Sequence, residues 1–194
     1  MHSFQRLCVF CGSSNHVASS YKTAARSLGA MLAGQRVGIV YGGGSVGLMN
    51  ELALGALAEG GEVIGVIPEK LLKLELARTD LSDLIVVPDM HVRKKTMADL
   101  SDGFIALPGG FGTLEELFEA TTWSQLRFHN KPVGILNVDG YFDALLAFVD
   151  HCGQEGFIRP LHTRLLNVHT DPEALIERMR HARIPELQEW IQDP

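Results

Sequence analysis

Short runs of β-branched and aliphatic residues alternate along the chain with longer stretches in which apolar residues return every three to four positions. The runs fall at 7–10, 37–41, 63–67, 84–87, 104–107, 133–136 and, more weakly, 165–168. Each is short and almost uniformly apolar, as a strand buried on both faces must be. The helical periods fall at about 21–33, 48–59, 90–100, 114–126, 141–152 and 172–181. Strand and helix alternating almost throughout predict an α/β fold, a doubly wound and mostly parallel sheet with helices on both faces. Residues 185–191 carry a further short amphipathic pattern that would rest Leu187 and Trp190 on a neighbouring surface. The stretch 68–84 has no clear period and reads either as a lid or binding loop or as a partly helical surface excursion.

Composition narrows the classes. A chain of 194 residues fits one domain spanning 1–194. The formal net charge of −6 argues against nucleic acid or an anionic membrane as a partner, although a local basic pocket can hide within an acidic total. Three cysteines cannot pair completely, which fits a reducing cytoplasm. The N-terminal apolar run is too short for a signal-peptide core, and no run approaches the ~18 residues of a membrane span. Cys8 and Cys11 have a redox-like spacing, but on a strand such positions face opposite sides and read better as buried small residues.

Ligands of open parallel sheets bind beyond the carboxyl ends of the strands. After the first run comes Cys11-Gly12-Ser13-Ser14. The second is followed by Gly42-Gly43-Gly44-Ser45-Val46-Gly47, and the fifth by Pro108-Gly109-Gly110-Phe111-Gly112-Thr113. Both glycine loops run straight into a helical pattern, where free backbone N–H groups and a positive dipole end would make an anion cradle. Gly42, Gly44 and Gly47 also fit a dinucleotide fingerprint. The acidic residue that such a site needs would be Glu69, which follows Pro68 and reads better as a turn residue.

With Met90 at zero on a helical wheel of ~100° per residue, Arg93 falls near 300° and Lys94 near 40°, within the apolar stripe of Met97 and Leu100, whereas Lys95 and Asp99 point away. A buried cation needs an anion, either a carboxylate of the protein or a ligand. In the helix after Gly112, Leu114, Leu117, Phe118 and Thr121 share one face, and Glu115, Glu116 and Glu119 lie on the other. Thr113-x-x-Glu116 reads as a capping box. Three carboxylates beside an anion cradle also suit a ligand that carries phosphate at one end and develops positive charge near the other, as ribose 5-phosphate does while losing its base.

The run Pro108-Gly109-Gly110-Phe111-Gly112-Thr113-Leu114-Glu115-Glu116, preceded by Met90-His91-Val92-Arg93-Lys94, resembles the Lonely Guy (LOG) family of cytokinin-activating phosphoribohydrolases. Tyr41 to Met49 and Thr122-Trp123-Ser124-Gln125-Leu126 carry the same resemblance, which extends from about residue 7 to 170. It implies a Rossmann-like fold, usually dimeric, that hydrolyses the N-glycosidic bond of N6-substituted adenosine 5'-monophosphates, and in many members AMP, to free base and ribose 5-phosphate. By motif position Arg93 and Glu116 are the catalytic pair and Lys94 lies beside the substrate. On the same resemblance Gly109, Gly110, Gly112 and Thr113 would hold the phosphate, and Glu115 would lie at the ribose. Glu75 and Thr121 or Thr122 lie along the nucleotide. Gly43, Gly44 and Ser13, from the other two loops, are expected to complete the substrate site.

No cofactor is expected, and no metal, since no two histidines stand at a zinc-helix spacing. Members of this family were long labelled lysine decarboxylases, but no lysine here has a context suggesting a pyridoxal phosphate site. Two positions depart from the family pattern, which often has Gly in place of Asn50 and Arg127. A homodimer is expected, with room for a helix-to-helix contact along the small-residue stretch 48–57. Two other readings use the same glycine loops: a non-catalytic carrier of a phosphorylated cofactor, similar to the molybdopterin carrier proteins, and an NAD-dependent enzyme.

Overall fold

The computed structural model describes residues 1–72 and 77–185. The seven apolar runs become the strands β1 (Arg6–Phe10), β2 (Gly38–Tyr41), β3 (Val63–Pro68), β4 (Asp83–Val87), β5 (Phe104–Ala106), β6 (Val133–Leu136) and β7 (Leu166–His169). They form one all-parallel sheet in the order β4-β3-β2-β1-β5-β6-β7. The order reverses at β1, so β1 and β5 flank the crevice where open parallel sheets bind ligands. The helices are α1 (Ser19–Gly34), α2 (Gly47–Ala58), α3 (Glu69–Leu72), α4 (Met90–Asp99), α5 (Phe111–Gln125), α6 (Asp143–Gln154) and α7 (Pro172–Arg180). None of the described helices is long and apolar enough to cross a membrane.

Because side chains alternate along a strand, the sheet feeds two cores. Leu7 and Val9 of β1 join Leu28 and Leu32 of α1, Leu52 of α2 and Leu175 of α7 on one face. Cys8 and Phe10 join Met97 of α4 and Leu117 of α5 on the other. Cys8 and Cys11 are unpaired thiols, and burial pushes both above the ordinary thiol range.

The small residues of α2 are used against α1. A Cβ on Gly29 would collide with the Leu52 carbonyl, and one on Gly55 with the Arg26 carbonyl, so the two helices touch through their backbones. The stretch 48–57, expected to leave room for a second copy, turns one face to α1: α2 buries Leu48, Met49, Leu52, Ala53, Gly55 and Ala56, whereas Asn50, Glu51, Leu54 and Leu57 stay partly exposed.

The aperiodic stretch 68–84 opens with the single turn of α3. From Ala77 it folds back over the first glycine turn: Ala77 bridges Gly44, and the Arg78 N–H donates to the Gly43 carbonyl at 3.2 Å. The Arg78 guanidinium donates to Asn50 Oδ1 at 2.7 Å, which gives this departure from the family pattern a role in tying the segment to α2. Residues 73–76, with Glu75, and all of the expected C-terminal pattern beyond Pro185 lie outside the described residues.

Candidate active site

The carboxyl ends of β1, β2 and β5 open into a cavity of about 220 Å³ lined by Ser13, Gly42, Arg93, Gly110, Gly112, Thr113 and Glu116, with Phe10, Met49 and Met97 among its apolar walls. Two helix starts border this crevice, and their backbones differ in what they can offer a ligand.

At α2 the first amide is already taken. The Gly47 N–H donates to Asn15 Oδ1 at 2.9 Å, and the Leu48 N–H to the Gly12 carbonyl at 2.9 Å. Gly47 has φ 59°, and a Cβ there would strike the Ser13 backbone, so glycine is required for this close approach. Of the two anion cradles expected, the start of α2 thus has two amides taken by the chain's own acceptors, which leaves the start of α5 the more open.

At α5 the helix begins with Phe111, and the cap residue, Gly110, is extended and has no side chain to offer. The first intrahelical bond is from the Leu114 N–H to the Gly110 carbonyl at 3.1 Å, leaving the first-turn amides directed out of the helix end. Thr113 is the third helical residue and not the cap, so the expected Thr113-x-x-Glu116 capping box does not form. Gly109 is held to glycine by the Thr113 side chain, which a Cβ would meet.

Arg93 is buried, 7% exposed, as its place on the apolar stripe of α4 demands. Asp89 caps that helix by accepting from the Val92 N–H at 2.8 Å. The guanidinium is held by carbonyls: Nε donates to Val66 O at 3.0 Å and Nη2 to Gly42 O at 3.0 Å, and a Cβ on Gly42 would run into it. Its Nη1 lies 3.9 Å from Glu116 Oε1, an ion pair without a hydrogen bond. Burial pushes the Glu116 carboxyl up to about 7; the Arg93 charge opposes this and Glu115 adds to it. Such a carboxyl can both take and give a proton near neutrality.

The other two acids of α5 keep to the polar face on which the wheel grouped all three, and the departure is Glu116. Lys94 reaches across from α4 to pair with Glu115 and, at 2.7 Å, with Glu119. Burial pulls the Lys94 ammonium down, but the hydrogen bonds to these two carboxylates outweigh it and hold it above its ordinary value. Glu116 alone turns inward beside Arg93.

Of the remaining expected residues, Gly43 (φ 77°) and Gly44 form the back of the glycine turn, against Ile67, Leu84 and Ala77. The Thr121 hydroxyl donates to the Leu117 carbonyl at 2.7 Å, and Thr122 is exposed on α5. Two residues at the crevice escaped the sequence reading: Asn15, which plugs α2, and Tyr141, whose hydroxyl donates to the Gly109 carbonyl at 2.7 Å. Asn15 lies in a small polar cluster and Tyr141 follows an Asp-Gly pair, both turn signals, but neither reveals a partner about 30 residues away. Among the described residues no group of three His, Cys, Asp or Glu side chains could hold a metal ion.

A doubly wound parallel sheet with an open helix start, a buried arginine and a buried carboxyl at its switch point defines a Rossmann-like protein suited to a small anionic ligand. Comparisons with known proteins sharpen the class. A family model described as possible lysine decarboxylase matches residues 49–179. The chain is 45% identical over 192 residues to cytokinin riboside 5'-monophosphate phosphoribohydrolase LOG1 of Arabidopsis thaliana, covering 96% of this chain and 90% of that protein. It is 46% identical over 192 residues to the probable cytokinin riboside 5'-monophosphate phosphoribohydrolase LOGL2 of Oryza sativa subsp. japonica, covering 96% and 79%. Among solved structures, a molybdenum cofactor binding protein from Rippkaea orientalis matches with a TM-score of 0.69 at 25% identity, covering 92% of this chain and 97% of that one. The chain belongs to the LOG family.

Proposed function

We propose that this protein hydrolyses the N-glycosidic bond of N6-substituted adenosine 5'-monophosphates, and of AMP, to free base and ribose 5-phosphate. The observation that carries this reading is the buried Arg93 and Glu116 pair facing the uncapped start of α5 across one cavity. The 5'-phosphate sits on the first-turn amides from Gly110 to Thr113, where the helix end favours negative charge. Glu116 faces the sugar, and its carboxylate stabilises the positive charge that develops as the bond from C1' to the base stretches. Water adds to C1', the base leaves with the bonding electrons, and the proton lost by water passes through Glu116 to the base. Arg93, fixed by the Val66 and Gly42 carbonyls, keeps Glu116 and the nucleotide in register. Lys94, committed to Glu115 and Glu119, is a charged bridge and not a free amine for decarboxylase chemistry.

Incubation with N6-isopentenyladenosine monophosphate and with AMP, followed by chromatography, should show free base. Glu116→Gln and Arg93→Ala should each lower turnover about 100-fold or more, and near-normal turnover in either would remove that residue from the mechanism. The corresponding nucleosides should react poorly. The carrier reading has no use for the Arg93 and Glu116 pair; tight binding of a pterin cofactor without base release would favour it. We also infer a homodimer, since Val86 on the edge strand, Met90 and Val92 on α4, and Phe111 and Phe118 on α5 are exposed apolar side chains that a second copy would cover; sedimentation tests this. The unpaired thiols support a cytoplasmic setting.

A further inference from the structure

The connection after β6 is pinned more firmly than its length requires. Val138–Gly140 make a single 3-10 turn in which Asp139 is left-handed at φ 50° and Gly140 follows at φ 70°. Buried Asn137 staples both sides of that turn: its Nδ2 donates to Asp143 Oδ1 at 2.7 Å, and its Oδ1 accepts from the Phe142 N–H at 2.8 Å. A strained non-glycine residue persists where its surroundings over-determine it, often at functional sites. What this turn presents is Tyr141, its ring held edge-on by Tyr21 at 5.5 Å and Phe142 at 5.0 Å. The hydroxyl then reaches the Gly109 carbonyl at 2.7 Å.

We propose that Tyr141 is a positioning residue that aims the Gly110 amide at the phosphate of the substrate. This rests on the reading above that the anion sits at the start of α5. The Gly109 carbonyl and the Gly110 N–H are opposite ends of one trans peptide, so fixing the first directs the second away from Tyr141. The space on the Tyr141 side is lined by Tyr21, Gly109 and Gly110, and the cavity of Arg93 and Glu116 is lined by Gly110, Gly112 and Thr113. Gly110 lines both spaces, and the peptide that joins it to Gly109 has its carbonyl end on the Tyr141 hydroxyl. A peptide between two glycines has few steric barriers to flipping, and nothing lies within 4 Å of where a Gly110 Cβ would be. Once flipped, it would turn a carbonyl oxygen toward the anion. Holding it is the service the tyrosine hydroxyl provides, and it acts on phosphate affinity and not on the bond-breaking step.

The test is Tyr141→Phe, which keeps the ring and removes only the donor. KM for AMP should rise about three- to tenfold, the range expected for one neutral hydrogen bond, with kcat within twofold. Inorganic phosphate, titrated calorimetrically into each protein without any substrate, should bind more weakly by the same factor. Circular dichroism checks that the variant is folded. An unchanged KM together with an unchanged phosphate affinity overturns the proposal, as does a loss of kcat at constant KM. If the wild type releases base from neither substrate, the activity reading falls while the phosphate titration still decides the role of Tyr141; if it also binds no phosphate, both fall.

Discussion

Glu116→Gln should lower turnover about 100-fold or more and yet make the folded protein more stable above neutrality. Burial lifts this carboxyl from its ordinary 4.5 to about 7. Between those values the native state holds a proton that the unfolded chain has released, so stability declines as pH rises through that interval. Below 4.5 both states are protonated and the penalty vanishes; above about 7 it is fully developed. At 1.36 kcal/mol per pH unit the penalty is about 3 kcal/mol. The attraction of Arg93 is already included in this balance, and at 3.9 Å without a hydrogen bond it fails to offset burial. Arg93 keeps its carbonyl partners on Val66 and Gly42 when the carboxylate is gone.

Glutamine has the same shape and no charge to desolvate, but its buried amide needs partners, at a cost of about 1 kcal/mol or more where one is missing. The net expectation is a gain of about 1 to 3 kcal/mol at pH 8 that is lost by pH 4.5, where the buried amide leaves the variant level with the wild type or up to about 2 kcal/mol weaker. Urea unfolding of both proteins at several pH values, followed by circular dichroism, reads this directly. Parallel stability curves, or a variant weaker than wild type at pH 8, would refute the idea that the site holds its carboxylate against the preference of the fold.

Three further outcomes follow from the same geometry. With the reaction dependent on ionised Glu116, kcat/KM for AMP should fall about tenfold per pH unit below about 7, and more steeply below ~6 where the substrate phosphate also gains a proton; a flat profile from pH 5 to 8 would exclude Glu116 as the ionising group. Gly42→Ala places a methyl group against the Arg93 guanidinium, so turnover should drop at least tenfold while the circular dichroism spectrum stays native, and normal kinetics would show that Arg93 can move without consequence. Arg127 ends α5 at φ 63°, with its N–H on the Ser124 carbonyl and the Phe128 N–H on the Trp123 carbonyl, the left-handed helix end that favours glycine. Arg127→Gly should leave turnover unchanged and raise unfolding stability by up to ~1 kcal/mol, less whatever is lost with the contacts of the Arg127 side chain, among them the 3.4 Å bond to the Ile184 carbonyl; a large destabilisation measured by urea unfolding would show that those contacts outweigh the backbone strain.

The strands were legible because a two-sided burial leaves little choice of residue: every position of β2, β3, β5 and β6 is buried. Arg93 was legible for the opposite reason, a charge at a helical position that only apolar residues normally occupy. The start of α5 was misplaced because Gly110-Phe111-Gly112 has poor helix propensity and Thr113 looks like a cap; the free amides that make the segment useful are what an ordinary cap would have hidden. The inward turn of Glu116 could not be separated from Glu115 and Glu119 by periodicity, since the residue that draws those two outward is Lys94, on another helix. Asn15 was invisible for the same kind of reason, its partner Gly47 lying 32 residues ahead.

The plug that Asn15 inserts into α2 makes the crevice directional. Of two helix ends that border the crevice, the chain has filled one with its own acceptors, so on the function proposed above a nucleotide would have a single way round in which to enter, its sugar delivered to the same carboxyl every time. Unstoppering α2 would give the crevice a rival seat, and a phosphorylated molecule lodged there would lie back to front, bound but unreactive.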